Sequence, residues 1–189
     1  MEQKPYKKEL YERWDEFWLA DGERAVELGK ALHAFLAKIH DLDAEDYYLL
    51  GLSTYSLNQD GVLEHSHPLF LKALANDENY YLARLYSAHC YHDKGDFKSA
   101  LSEYLKVDQE KLKKEMPIWR WVKLLEQVGF CYVKLGQTGV AEPYFEKVIK
   151  AYLEIEKDEL VPVQEAYECL SPEHPLVSRL KEAENEHFC

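Results

Sequence analysis

The densest run of side chains able to ligate a metal or move a proton is AHCYHDKGDF, residues 88–97, which holds His89, Cys90, His92 and Asp93. On a helix, His89 and His92 share a face, a spacing compatible with two zinc ligands, and Glu64, His65 and His67 are the further donors upstream. Cys90 falls off that face. His92 and Asp93 near a helix end are ordinary solvent-facing choices, the histidine being favoured there by the helix dipole. The cluster has no strict ligand motif, so neither a metal site nor a cofactor is expected. Catalytic residues are not expected either. The 35 acidic side chains mark a solvated surface, no pair of them is singled out by an apolar setting, and no nucleophile elbow, P-loop, G-x-G-x-x-G or H-E-x-x-H occurs.

The elements that carry these residues repeat. Gly95, Phe97, Ala100, Tyr104 and Val107 form a frame that recurs 34 residues earlier as Gly61, Leu63, Ser66, Phe70 and Ala73, and 41 residues later as Gly136, Thr138, Ala141, Phe145 and Val148. Upstream of each glycine stands a second frame, Leu50-Ser53-Thr54-Leu57, Arg84-Ser87-Ala88-Tyr91 and Leu125-Val128-Gly129-Tyr132. The pattern predicts two helices per copy joined by a tight turn at the glycine, where positive φ carries no steric penalty. Small residues such as Ala88 and Gly129 let the helices approach, and aromatics fill the surrounding space. Pro68 and Pro143 fall at equivalent places and are placed in the first turns of their helices, where backbone donors have no partners. The seven extra residues between the second and third copies, around DQEKLKKEMP (108–117), read as added helical turns or a projecting loop.

Flanking segments follow the same period. Tyr6, Leu10, Trp14 and Phe17, then Asp21-Gly22, then Val26 to Ile39, predict an N-terminal helical pair over 1–42, either a cap or a degenerate fourth repeat. Ser171-Pro172 reads as a helix start, with Leu176, Val177 and Leu180 on one face of a C-terminal cap within 158–189. With no strand signal, the expected fold is all-α, a single domain built as a right-handed solenoid of helical hairpins.

The glycine, small-residue and aromatic frame over residues 47–153 resembles the tetratricopeptide repeat (TPR) family, whose 34-residue unit carries W-x2-L-G-x2-Y…A-x3-F…P. The closing proline is absent from all three copies. The resemblance implies a concave groove lined by the first helix of each pair, and a protein or peptide as ligand. Carried onto this chain, the groove residues are Tyr48, Tyr55, Asn58, Leu85, His89, His92, Glu126, Phe130 and Lys134, an aromatic and apolar surface suited to an apolar or aromatic segment. The expected role is a non-catalytic adaptor, chaperone or regulator. In size, acidity and layout the chain also resembles the small TPR chaperones of bacterial secretion systems.

Self-association, with Trp14, Phe17 and Trp18 pairing two copies in a homodimer, is the alternative. A metal-binding or hydrolytic enzyme ranks behind both. The charge balance of 23 basic to 35 acidic side chains, net −12, disfavours nucleic acid and anionic membrane as partners. No apolar run reads as a signal or a span, and the four cysteines are scattered, so a cytoplasmic protein with free thiols is expected.

Overall fold

The computed structural model describes residues 4–57, 61–156 and 159–188. Among the described residues there are eleven α-helices and no strand, and no helix is long and apolar enough to cross a membrane. The all-α expectation therefore holds. The chain divides into two compact units, Met1–Cys90 and Tyr91–Cys189.

The first unit contains α1 (Lys7–Trp18), α2 (Gly22–Leu36), α3 (Ala44–Ser56), α4 (Val62–Asn76) and α5 (Tyr81–Asp93) as far as Cys90. Leu10, Leu32, Leu36, Leu49, Leu52, Phe70 and Tyr86 form its core. In α1 and α2 the apolar residues come at helical spacing and bury one face. Asp43 and Asp46 form a reciprocal capping box at the start of α3.

The α3–α4 hairpin closes through Gly51. A Cβ there would lie 2.7 Å from a ring carbon of Phe70, so only glycine admits the ring. The repeat frame had placed Thr54 at this contact. Thr54 instead turns its hydroxyl to Leu50 O and to His33 of α2 at 2.7 Å. The first copy thus carries three more residues than the third between its contact glycine and its turn glycine, and its first helix is displaced by about one turn.

The second unit runs from Tyr91 through α6 (Phe97–Tyr104), α7 (Gln109–Glu115), α8 (Trp119–Lys134), α9 (Thr138–Glu154), α10 (Glu165–Cys169) and α11 (Pro175–Phe188). Helix α8 is central, with α6, α7, α9 and α10 packed against it and α11 against α9. The turn before α9 has Gly136 at φ 75°, as the glycine frame required. At Gly129 a Cβ would meet the Phe145 ring at 2.8 Å, the same contact as Gly51 with Phe70.

Residues 108–117 resolve as the short helix α7. Asp108 caps it, accepting from Lys111 N at 3.0 Å, and the fully buried Leu112 anchors it. Pro68 and Pro143 lie inside α4 and α9, beyond the first turn where they had been placed, so Glu64 and Gly139 each lose an intrahelical donor. The C-terminal helix starts at Pro175 rather than at Ser171-Pro172, with Leu176, Val177 and Leu180 buried as expected.

Candidate functional site

In the second unit residues 160–170, α10 among them, pack on α8. Leu160, Val163, Ala166 and Leu170 are buried in the core that α8, α9 and α11 provide. Two carboxylates hold the segment by its backbone. Glu126 Oε1 accepts from Gln164 N at 2.8 Å and from Ala166 N at 3.1 Å, and Glu184 accepts from Val163 N at 3.0 Å and from the Tyr167 hydroxyl at 2.7 Å. Tyr152 donates its hydroxyl to Val161 O at 2.7 Å.

Glu126 itself is fully buried and is paired through its other oxygen with Lys123 Nζ at 2.8 Å. Burial alone would lower the Lys123 ammonium, but Glu126 and then Glu165 outweigh it and hold it above its ordinary value. Glu165 is 3.2 Å from Lys123 and 3.7 Å from His92 Nε2.

The expected groove residues therefore separate. Glu126 does not face an open groove, because the chain's own residues 164–166 occupy it. Phe130 is buried against His92 and Phe97, with centroids at 5.0 and 5.6 Å. His92 was read as solvent-facing, yet its side chain is 9 % exposed, enclosed by Phe97, Tyr104 and Phe130. Lys134 is exposed, its ammonium 4.9 Å from the Phe130 ring.

In the first unit Tyr48 is buried among Phe70, Tyr80 and Tyr86, and Leu85 is buried as well. Tyr55 and His89 are half-buried, both packed edge-on to Tyr86 at 5.7 and 5.1 Å. Asn58 lies outside the described residues. Tyr48 and Leu85 in the first unit, and Glu126 and Phe130 in the second, are interior residues of their own unit.

Of the upstream donors, Glu64 and His65 are exposed and His67 is engaged. His67 is buried with Nε2 3.0 Å from the Ser87 hydroxyl, and Cys90 is buried 3.8 Å from the Ser66 hydroxyl. Among the described residues no three His, Cys, Asp or Glu side chains converge as a metal site. Cys90, Cys131 and Cys169 are free thiols. Burial pushes Cys131 and Cys169 up to about 12, with the nearby Glu165 adding to it at Cys131 and Glu126 at Cys169.

Two features escaped the sequence reading. Leu160, Val163, Ala166 and Leu170 carry a spaced apolar pattern, but Pro162 and the absence of a long periodic run hid it. The other is the pocket at the α1–α2 turn, although the Trp14, Phe17 and Trp18 cluster beside it was already legible as a contact surface. Phe17, Trp18, Ala20, Ala25, Ser56 and Leu57 enclose about 270 Å³ there. Trp18 is 52 % exposed and Leu19 87 %, beside the pocket on the turn. Trp14 supports the patch, stacked on Trp18 at 5.8 Å and tilted to Phe17 at 5.5 Å. No family model matches the chain, and no curated protein matches it significantly.

Proposed function

We propose that this chain is a non-catalytic, TPR-like helical protein that binds another protein as an adaptor, chaperone or regulator. The observation that carries the reading is the α1–α2 surface, where Trp18 and Leu19 stand exposed beside an apolar pocket. Large exposed apolar side chains around a concavity mark protein contacts, and tryptophan is among the strongest interface anchors. The pocket falls below the roughly 300–1,000 Å³ of small-molecule sites, a size that suits one or two side chains of a partner. In the second unit the densest titratable set, Lys123, Glu126, Glu165 and His92, is directed at backbone, rings and one another. That arrangement supports a packing role for these groups over a chemical one.

Affinity capture from native lysate with wild-type protein beside Trp18→Ala/Leu19→Ser tests the reading. Leu19 is largely exposed and Trp18 about half exposed, so circular dichroism and the melting temperature of the variant are measured beside the capture. A partner held by wild type and lost by the variant is the expected result. Capture profiles identical between the two would overturn it.

A further inference from the structure

We infer that His92 is a pH-responsive clasp, whose protonation fastens residues 160–170 to the end of α5 through Glu165. The device does not depend on the protein-binding reading above. The ring is enclosed by Phe97, Tyr104 and Phe130, and its side chain is 9 % exposed. Each ring nitrogen faces a carboxylate just beyond hydrogen-bond reach. Nδ1 lies 3.6 Å from Asp93 Oδ1, and Nε2 lies 3.7 Å from Glu165 Oε1. Nε2 is buried and has no hydrogen-bond partner among the described residues. A neutral imidazole carries one N–H and serves only one of the two carboxylates, whereas an imidazolium donates to both.

The charges beside the ring follow one another in a row. Glu126 pairs with Lys123 at 2.8 Å, Lys123 reaches Glu165 at 3.2 Å, Glu165 borders Nε2 of His92, and Asp93 borders Nδ1. While His92 is neutral, Lys123 is the single cation shared by Glu126 and Glu165, and Asp93 has no cation in the row. A proton on His92 makes the signs alternate from Glu126 to Asp93. The other titratable groups around the row do not supply that charge. Lys134 is exposed, over the Phe130 ring at 4.9 Å. Lys94 is exposed in the turn to α6, and Asp96 in the same turn accepts from Ser99 N. Burial pushes the thiols of Cys131 and Cys169 up to about 12, so both are neutral.

Histidine is the side chain that changes charge between pH 5 and 8. Burial alone would lower Lys123, but Glu126 and Glu165 hold it above its ordinary value, so it stays charged across this range. Burial opposes a charged ring, and a carboxylate at each nitrogen favours it. The clasp is thus closed at low pH and opens as pH rises and the ring gives up its proton. Gln164 and Ala166, on either side of Glu165, are held by their amides to Glu126, so the grip on Glu165 bears directly on how firmly the segment lies on α8.

The test is hydrogen exchange in the full chain at pH 5.5 and pH 8.0, with rates corrected for intrinsic exchange, for wild type, His92→Gln and Glu165→Gln. Wild type should protect the Gln164 and Ala166 amides about tenfold better than His92→Gln at pH 5.5, with the advantage gone at pH 8.0. Lost packing alone would lower protection alike at both. Glu165→Gln should flatten the pH dependence, and the wild-type His92 ring, followed by NMR, should titrate between pH 5 and 8.

A protection ratio equal at the two pH values would overturn the proposal and leave His92 as a packing residue. So would a ratio that grows toward pH 8.0, or a ring that stays neutral down to pH 5. If His92→Gln does not fold, wild type and Glu165→Gln decide. Weaker pH dependence at Ala166 in Glu165→Gln supports the clasp, and equal dependence in the two proteins overturns it.

Discussion

The two units bury charge in opposite ways. In the first, a cation is buried among carboxylates: Lys7, 5 % exposed, donates to Asp46 at 2.8 Å and to Asp43 and Glu45 at 2.9 Å. In the second, a carboxylate is buried among donors, with Glu126 on two backbone amides and Lys123. Each joins elements far apart in sequence, α1 to α3 in one unit and α8 to the α10 segment in the other. The difference lies in what remains if the central group is lost. Removing Lys7 leaves three carboxylates crowded together, whereas removing Glu126 leaves neutral amides and a half-buried lysine that can turn toward Glu165.

The largest effect is therefore expected at Lys7. Lys7→Met should destabilise the protein by about 3–5 kcal/mol, the usual result of stripping one partner from a buried ionic cluster. Asp46 is fully buried and also accepts from the Tyr6 hydroxyl at 2.6 Å, so Lys7→Met/Asp46→Asn should recover part of the loss. Chemical denaturation of the three proteins measures this. A Lys7→Met variant as stable as wild type would break the contrast.

The pH dependence sharpens it. Burial would lower Lys7, but hydrogen bonds to Asp46, Asp43 and Glu45 outweigh this and raise it above its ordinary 10.5. Stability from Lys7 is thus full below 10.5 and is lost as pH rises through the folded value. Burial would raise Asp43, but Lys7 and the Asp46 amide hold it below its ordinary 3.8. Its contribution is present above 3.8 and is lost as pH falls through the folded value. Melting temperature should therefore fall at both extremes in wild type. In Lys7→Met the acid fall should be smaller, because Asp43 loses the cation that depresses it.

Glu126→Ala should come next, at about 2–3 kcal/mol for charge-assisted bonds to partly buried amides. The loss should be local. Hydrogen exchange at Gln164 and Ala166 should quicken while amides of α3 and α4 keep their protection. Glu126→Gln retains an acceptor and should lose less. Uniform exchange changes across both units would mean that Glu126 supports more than the segment above it.

A smaller effect tests what the units share. Gly51→Ala and Gly129→Ala should each destabilise by about 1–3 kcal/mol, because each new methyl meets a buried phenylalanine ring. The sequence frame makes Thr54, not Gly51, the counterpart of Gly129. If that frame were right, Thr54 would be the sensitive position and Gly51→Ala would be silent.

This hairpin contact also shows how far the sequence was legible. The glycine turns, the aromatic knobs Phe70, Tyr104 and Phe145, and the flanking helices could all be read, because 3.6-residue spacing and positive φ leave marks on residue type. The one-turn displacement of α3 could not, since any small residue at Ser53 or Thr54 looks as suitable as Gly51 until Phe70 is in place. The candidate site was less legible. Aromatics on a first helix look alike whether they line a groove or a core, and Tyr48, Leu85 and Phe130 are core. Glu126 read as a surface carboxylate because the amides that hold it come 38 and 40 residues later, with no side-chain signature. Trp18 and Leu19 were visible as apolar residues. Their exposure depends on where α1 ends.

The smallest effect concerns the thiols, where exposure and reactivity part company. Cys131 is fully buried and Cys169 half-buried, so accessibility alone makes Cys169 the reactive one. Burial nevertheless pushes both up to about 12, and the thiolate is the nucleophile. At pH 8 both should react slowly with a disulfide reagent, with Cys169 only modestly ahead. Glu126→Ala removes a carboxylate that raises Cys169 and loosens the segment carrying it, so labelling there should accelerate while Cys90, in the first unit, is unchanged. Acceleration at Cys90 instead would show that the effect of Glu126 reaches across the division between the units.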